Sequence, residues 1–306
     1  MVLAPALTER LALPLIAAPM TGVSGPELVV AACRSGVIGS FPTHNASTVD
    51  ELDTWLGQMS DELSHGPAAP VAPNLVVHPT NERLASDLDR LVAHHVELVI
   101  TSVGSPAAVM DRLHGAGCAV YADVATLRQA EKAIAVGVDG LVLLTAGAGG
   151  QTGQANPFAF VRAVRDIFDG TIVAAGGISD GRSVLAAEVL GADLSYMGTH
   201  FIATRESLAS AAYREALVRS TMDDVRLSSE VGGLPASLLA EWLEQRSDEA
   251  VVAGDFQQDR LTASPAVWSA GHSVSAVRDI PDVRTLVDRL AKQYAAARDD
   301  LRLALA

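Results

Sequence analysis

Residues 139–156 read DGLVLLTAGAGGQTGQAN. A short apolar run, Leu141 to Leu144, ends in a loop carrying Gly147, Gly149, Gly150 and Gly153, and Asn156 opens a helical pattern. An unbroken apolar run of this length reads as a strand buried on both faces, the kind found in parallel sheets. Most strand–helix connections need only a few residues and one or two glycines. Glycine at this density lets the backbone adopt positive φ or come within contact distance of a flat ligand. The loop is therefore expected to touch a ligand.

Working outward, the same unit recurs. Apolar runs lie at 15–18, 37–40, 71–77, 98–101, 119–123, 141–145, 172–175 and 194–198. Amphipathic stretches separate them, at 26–35, 48–63, 81–95, 106–115, 124–136, 156–168 and 179–190. Within 124–136, Leu127, Ala130 and Ile134 fall on one side at helical spacing. Strict strand–helix alternation implies a parallel sheet. Eight units imply closure into a (β/α)₈ TIM barrel, an α/β fold, with a small helical cap inserted after the eighth strand. Two repeats end alike, in AVGVDG and VLGADL, each with a glycine suited to a helix C-cap and an Asp entering the next strand.

Past the eighth strand the pattern changes. A helix is expected over 206–219, a Gly/Pro-marked segment with a helical run at 236–246 follows, and 281–304 reads as a long closing helix with a charged, solvated face. The expected division is 1–222 for the barrel, 223–260 for a helical cap that sets substrate specificity, and 261–306 for the return and closing helix.

The 306 residues are 49% hydrophobic and 19% charged, which suits a well-cored α/β protein. Aromatics make up 4% and the formal net charge is −14, so a phosphodiester backbone would be repelled and no nucleic-acid partner is expected. The sequence has neither a run of 18 apolar residues nor a basic N-terminal region before an apolar stretch, so no membrane association and a cytoplasmic location are expected. An oligomer is compatible with all of this. Cys33 and Cys118 lack metal-ligand spacing and read as buried thiols; no metal is expected.

A barrel of this type holds its site at the C-terminal ends of the strands. Those ends supply Ala18-Pro19-Met20, the stretch 40–44 ending in His44, Asn74 with His78 beyond it, Thr101-Ser102, Asp123, the glycine loop, Gly176-Gly177 and Gly198-Thr199-His200. The last two turns are the most specific. Paired glycines before a helix expected to start near Ser179-Asp180, beside a second glycine turn, offer free N–H groups to an anion. Barrels place phosphate after strands seven and eight. Many phosphate-binding barrels share that cradle, sugar-phosphate isomerases and synthases among them.

The motifs PLIAAPM (14–20), APNLVVHPTN (72–81), AGAGGQTG (146–153), AAGGIS (174–179), YMGTHFIATRES (196–207) and WSAGHSV (268–274) occur in that order. Together they resemble the nitronate monooxygenase family (formerly 2-nitropropane dioxygenases) of FMN-dependent barrels. The resemblance implies FMN, with its phosphate on Gly176, Gly177, Gly198 and Thr199. It implies the ring near Ala18, Pro19, Met20 and Asn74, against the Gly149–Gly150 loop. Asp123 is counted with the cofactor-contacting residues, although a cap on the next helix is its favoured reading. The implied reaction is oxidation of a small nitronate or nitroalkane-like substrate with O₂. Alternatives are an NAD(P)H-dependent FMN reductase of quinones or activated alkenes, and an FMN-binding protein with little turnover.

One position departs from the pattern. Where such enzymes carry a catalytic His after the paired glycines, this chain has Gln151. An amide cannot accept a proton near neutral pH, though it can orient a substrate oxygen. Gln151, His44, His200 and His272 are the candidate catalytic residues, with His200 also placed to help hold the phosphate by its charge. His78 lies in the family-like NLVVH run.

Overall fold

The computed structural model describes residues 5–229, 231, 233–245, 256, 258–259 and 267–305. The expected eight strands form, as β1 (Leu15–Ala17), β2 (Ile38–Pro42), β3 (Val71–Val76), β4 (Leu98–Ser102), β5 (Ala119–Val124), β6 (Gly140–Leu144), then β8 (Thr171–Ala175) and β9 (Leu194–Met197). They close into a parallel barrel in chain order, with β9 returning to β1 through the pairs Leu15–Ser195 to Ala17–Met197. Strand β7 (Gly150–Gln151) stands apart, in a second sheet over the barrel mouth.

Side chains alternate across each strand. Ile16, Ile38, Ala72, Ile100, Tyr121 and Val142 pack into one buried cluster inside the ring. Leu15, Leu75, Val99, Val120 and Leu141 point outward, into a cluster shared with helical residues such as Leu28, Leu52 and Val161. The period of two carries this inside face up to the rim. Ser40, Asn74, Ser102 and Asp123 therefore follow Ile38, Ala72, Ile100 and Tyr121 on the inward side.

The repeated Gly-x-Asp endings do what their sequence suggests, and more. Gly137 (φ 89°) and Gly191 (φ 109°) end the helices Leu127–Val136 and Gly181–Leu190 in the left-handed conformation. The following aspartates then reach sideways to the neighbouring strand. Asp139 accepts from the Val120 amide at 2.8 Å, and Asp193 from the Ile172 amide at 2.9 Å. Asp193 is buried and also pairs with Arg165, so this end of the barrel is fastened by a charge with partners.

The C-terminal third differs from expectation. The helix at 206–219 forms only over Ala211–Arg219, capped by the Ser210 side chain. The expected helical run at 236–246 begins as strand β11 (Ala236–Leu239), with helix only over Ala240–Glu244 and residues beyond 245 outside the described set. β11 is antiparallel both to β10 (Val225–Ser228) and, through Ala236–Gln151 and Ser237–Gly150, to β7. An apolar tetrapeptide carries no period of its own, and partners far along the chain decide its state. The cap has its own core, in which Leu238, Leu239 and Trp242 meet Tyr213, Leu217 and Val274. The closing helix, Val283–Leu305, packs against Gly181–Leu190. Among the described residues no helix is long and apolar enough to cross a membrane.

Removing one partner of a buried, hydrogen-bonded ion pair strands the other. Asp193→Ala is expected to lower unfolding free energy by about 3 kcal/mol in urea titrations, whereas alanine at the exposed pair partner Asp300 should cost less than about 1 kcal/mol.

Candidate active site

The strand ends enclose one cavity at the barrel mouth, with about 1370 Å³ of free space counting its opening to solvent. All twelve residues expected to contact a cofactor line it: Ala18, Pro19, Met20, Asn74, Asp123, Gly149, Gly150, Gln151, Gly176, Gly177, Gly198 and Thr199. Among the described residues lining it there is no Lys or Arg, so any anion there meets backbone dipoles.

The walls are rigid for identifiable reasons. The turn after β1 is pinned by Asn45, whose amide donates to the carbonyls of Met20 and Ser24 at 2.8 Å each and accepts from the Gly22 N–H at 2.9 Å. Asn74 is buried on the inner face of β3, and its Oδ1 accepts from Ser102 Oγ at 2.9 Å. Its amide nitrogen is left as the group it can offer a ligand. The glycine loop is tied to the turn at 270–272, and that turn to Thr199. The His272 N–H donates to the Gly147 carbonyl at 2.9 Å, and the Gly271 N–H to Thr199 Oγ1 at 3.0 Å. A methyl group on Gly149 would lie 2.7 Å from the Gly271 nitrogen, so no other residue fits. Gln151 is fixed at its backbone by pairing with Ala236.

The four residues expected to cradle an anion, Gly176, Gly177, Gly198 and Thr199, lie in the cavity wall. Helix Gly181–Leu190 starts later, and its first turn is closed on itself. Asp180 accepts from the Ser183 N–H, Ser183 Oγ accepts from the N–H groups of Ser179 and Asp180, and the Gly181 N–H donates to Gln293. A carboxylate as N-cap takes the favourable end of that helix dipole and opposes a second anion there. What remains is the Gly176–Gly177 turn and the short helix Thr199–Ile202. Gly177 has φ 73°, and a Cβ there would project into open space, in the cavity wall.

The three candidate histidines are not brought together. His44 reaches the cavity, with Nε2 3.0 Å from Thr21 Oγ1 and a buried, unpartnered Nδ1. Burial, aided by the nearby Arg83 charge, pushes it down to about 4. It is neutral at neutral pH, a hydrogen-bonding group rather than a charge. His200 is buried outside the cavity wall, towards Ser179 and Asp180, and burial pushes it down to about 4 as well. It is therefore neutral at neutral pH in the absence of a bound anion. His272 is exposed, and what it contributes to the site is its backbone N–H. His78 lies off the cavity wall, 2.9 Å from Thr80 and edge-on to Phe256.

Asp123 also departs from its favoured reading. The next helix is capped by Thr126, whose Oγ1 accepts from the Gln129 N–H at 3.2 Å. Asp123 instead turns inward with a buried, unpartnered Oδ1, and burial alone pushes its carboxyl up to about 7. Both cysteines are buried with thiols pushed up to about 12 by burial, as inert as expected. Among the described residues no group of His, Cys, Asp and Glu could hold a metal.

Among the wall residues that are not candidates from the sequence, three stand out. Tyr196 faces inward on β9, and only the strand period, read past the motif, would have shown it. Tyr213 arrives from the cap, stacked on Trp268 with its hydroxyl on the Ser269 carbonyl. Val103 follows β4 at φ 52°, a conformation that a β-branched residue enters only under constraint.

A family model for nitronate monooxygenase matches residues 70–293. This chain belongs to the nitronate monooxygenase family. A nitronate monooxygenase of Paraburkholderia phytofirmans is 25% identical over 304 residues, covering 86% of this chain and 81% of that one. An octahydroindene-carboxyl-CoA dehydrogenase of Rhodococcus jostii is 26% identical over 236 residues, covering 76% and 65%. The crystal structure of nitroalkane oxidase from Streptomyces ansochromogenes superposes with a TM-score of 0.84 at 25% identity, over 97% of this chain and 99% of that one. The chain is thus a TIM-barrel oxidoreductase of a flavin-dependent family.

Val103 supplies a test of strain at the rim. A left-handed β-branched residue costs about 1–3 kcal/mol, which offsets the usual penalty for introducing glycine. Val103→Gly should leave urea stability within about 1 kcal/mol of the parent or raise it, where Val→Gly in an ordinary strand lowers it clearly.

Proposed function

We propose that this family member is an FMN-dependent oxidoreductase that oxidises a small nitronate or nitroalkane-like substrate with O₂. The observation that carries the reading is convergence. Residues from separate strand ends, singled out from the sequence for one cofactor, line a single cavity whose walls are fixed by hydrogen bonds. In this reading the FMN phosphate lies on the N–H groups of the Gly176–Gly177 turn and around Gly198 and Thr199. The open space beside Gly177, at positive φ, is what such a cradle requires.

The ring would lie over Ala18, Pro19 and Met20 and against the Gly149–Gly150 backbone. Asn74, its oxygen committed to Ser102, would donate its amide hydrogen to a ring carbonyl. FMN, when bound, supplies the electron transfer. The chain supplies placement. Gln151, anchored by β11, orients a substrate oxygen at the cavity wall, and the cap core around Tyr213 and Leu238 limits substrate size and excludes water.

A second reading, an NAD(P)H-dependent reductase, is favoured by Gln151. Hydride transfer needs orientation more than a base at that position, and the Rhodococcus relative is named a dehydrogenase. Anaerobic mixing with NADH and NADPH separates the two. Bleaching of the flavin supports the reductase; no bleaching, with oxygen uptake on adding a nitronate, supports the monooxygenase.

Purified protein is expected to be yellow. Gly177→Val should expel FMN, seen as loss of visible absorbance with the fold intact by circular dichroism, and retained flavin would remove the cradle assignment. Gln151→Ala should keep FMN and alter kcat or substrate KM. Parental kinetics in that variant would make Gln151 a bystander.

A further inference from the structure

Asp123 is unlike the other strand-associated aspartates. Asp139 and Asp193 sit at the opposite end of the barrel, where each accepts a neighbouring strand's N–H. Asp123 occupies the inward position above Tyr121 at the C-terminal end of β5, in the cavity wall. One carboxyl oxygen is buried without a hydrogen-bond partner, and no cation acts on the group. It caps no helix, since Thr126 does that. A half-buried carboxyl with one oxygen cut off from water and unpaired costs free energy, and such costs concentrate where chemistry needs them.

Its surroundings are sparse in charge. The other titratable groups lining the cavity are His44, Tyr196 and Tyr213, and Tyr121 lies below it on the same strand. Tyr213 is already committed to the Ser269 carbonyl. The Tyr196 hydroxyl, on β9, is buried and unpartnered, and burial together with the Asp123 charge keeps its proton in place. Besides the unpartnered Nδ1 of His44, the barrel mouth therefore presents a carboxyl oxygen that lacks a donor and a phenol that lacks an acceptor.

We propose that Asp123 is the base that ionises a carbon acid bound in the barrel mouth, taking the α-proton of a neutral nitroalkane to give its nitronate. The C–H bond breaks, an O–H bond forms on Asp123, and the electron pair moves onto the nitro group. Nothing is oxidised or reduced in this step. Tyr196 is the donor that faces the charge this creates, and the proton leaves Asp123 for solvent once product departs. The assignment rests on the nitronate reading, and it supplies the proton acceptor that Gln151 cannot be. A carboxyl held up to about 7 by burial is half ionised at neutral pH and is a stronger base there than a histidine held down to about 4.

The test uses the FMN-loaded protein, anaerobic, with nitroethane in D₂O. Exchange of the α-protons is followed by NMR for the parent, Asp123→Asn and Asp123→Glu, beside buffer alone. The parent should accelerate exchange over buffer, Asp123→Asn should lose that acceleration by about 100-fold or more, and Asp123→Glu should recover part of it. Aerobic rates on nitroethane and on preformed ethyl nitronate are compared in parallel, and their ratio should fall by a similar factor in Asp123→Asn. Parental exchange in Asp123→Asn, or no acceleration by the parent, overturns the proposal.

A flavin-independent readout accompanies these. Because the folded-state value is raised above the ordinary 3.8, the unfolded chain releases this proton first as pH rises. The destabilisation is absent below about pH 4 and complete above about pH 7. The melting temperature of Asp123→Asn should therefore gain on the parent between pH 5 and pH 8, and a constant difference would count against a raised carboxyl. Failure of the nitronate reading shows separately, as no oxygen uptake with preformed nitronate by a parent that still exchanges α-protons.

Discussion

The close backbone contact between the glycine loop and the turn at 270–272 is the constraint on which the mouth of this barrel depends. A methyl group on Gly149 would enter the backbone at Ala270 and Gly271, one on Gly271 would enter the backbone at Gly147 and Gly149, and one on Gly147 would meet the His272 ring. Two hydrogen bonds close the joint, one to the Gly147 carbonyl and one to Thr199. Three segments distant in sequence thus become one wall. The same loop runs on into β7, where it pairs with β11 and carries the cap with it. Loop glycines are usually read as freedom; here they let two backbones touch, and the outcome is rigidity.

On that wall the distribution of charge is unusual. No cation lines the cavity among the described residues, the helix after β8 is capped internally, and the one histidine in the wall is neutral by burial. An anion is left with backbone N–H groups, and proton chemistry with a carboxyl that has no counter-ion. Low dielectric acts in opposite directions on these groups. It removes charge from His44 and His200, and it keeps a proton on Asp123 into the neutral range. Basicity at neutral pH thus moves from the imidazoles to the carboxyl.

Strain and fixation go together around the rim. Val103 holds a left-handed backbone between Ser102, which donates to Asn74, and Gly104, which lies against the Val77 carbonyl. The inward face of β3 and β4 is thereby set with an amide nitrogen towards the cavity. Asn45 fixes the turn after β1 in the same manner, with three hydrogen bonds from one side chain. The left-handed Val103 costs stability locally and is held by the barrel core beneath.

The sequence by itself determined the ring. Eight apolar runs with helical spacing between them leave a closed parallel barrel as the arrangement that buries every run on both faces, and Gly137 and Gly191 mark their helix ends through local backbone sterics. It also placed twelve of the wall residues, because strand ends in such a barrel converge on one mouth. The tertiary structure alone decided what depends on partners far along the chain. Ala236–Leu239 is a strand because Gly150–Gln151 and Val225–Ser228 offer it edges. The first turn of the helix after β8 is closed on Asp180 because Ser183 faces it. His200 and His272 lie outside the wall, and Asp123 lies in it uncapped, because burial and direction are set by packing. Period and spacing are local and survive in one dimension, whereas desolvation and pairing exist only once distant segments meet.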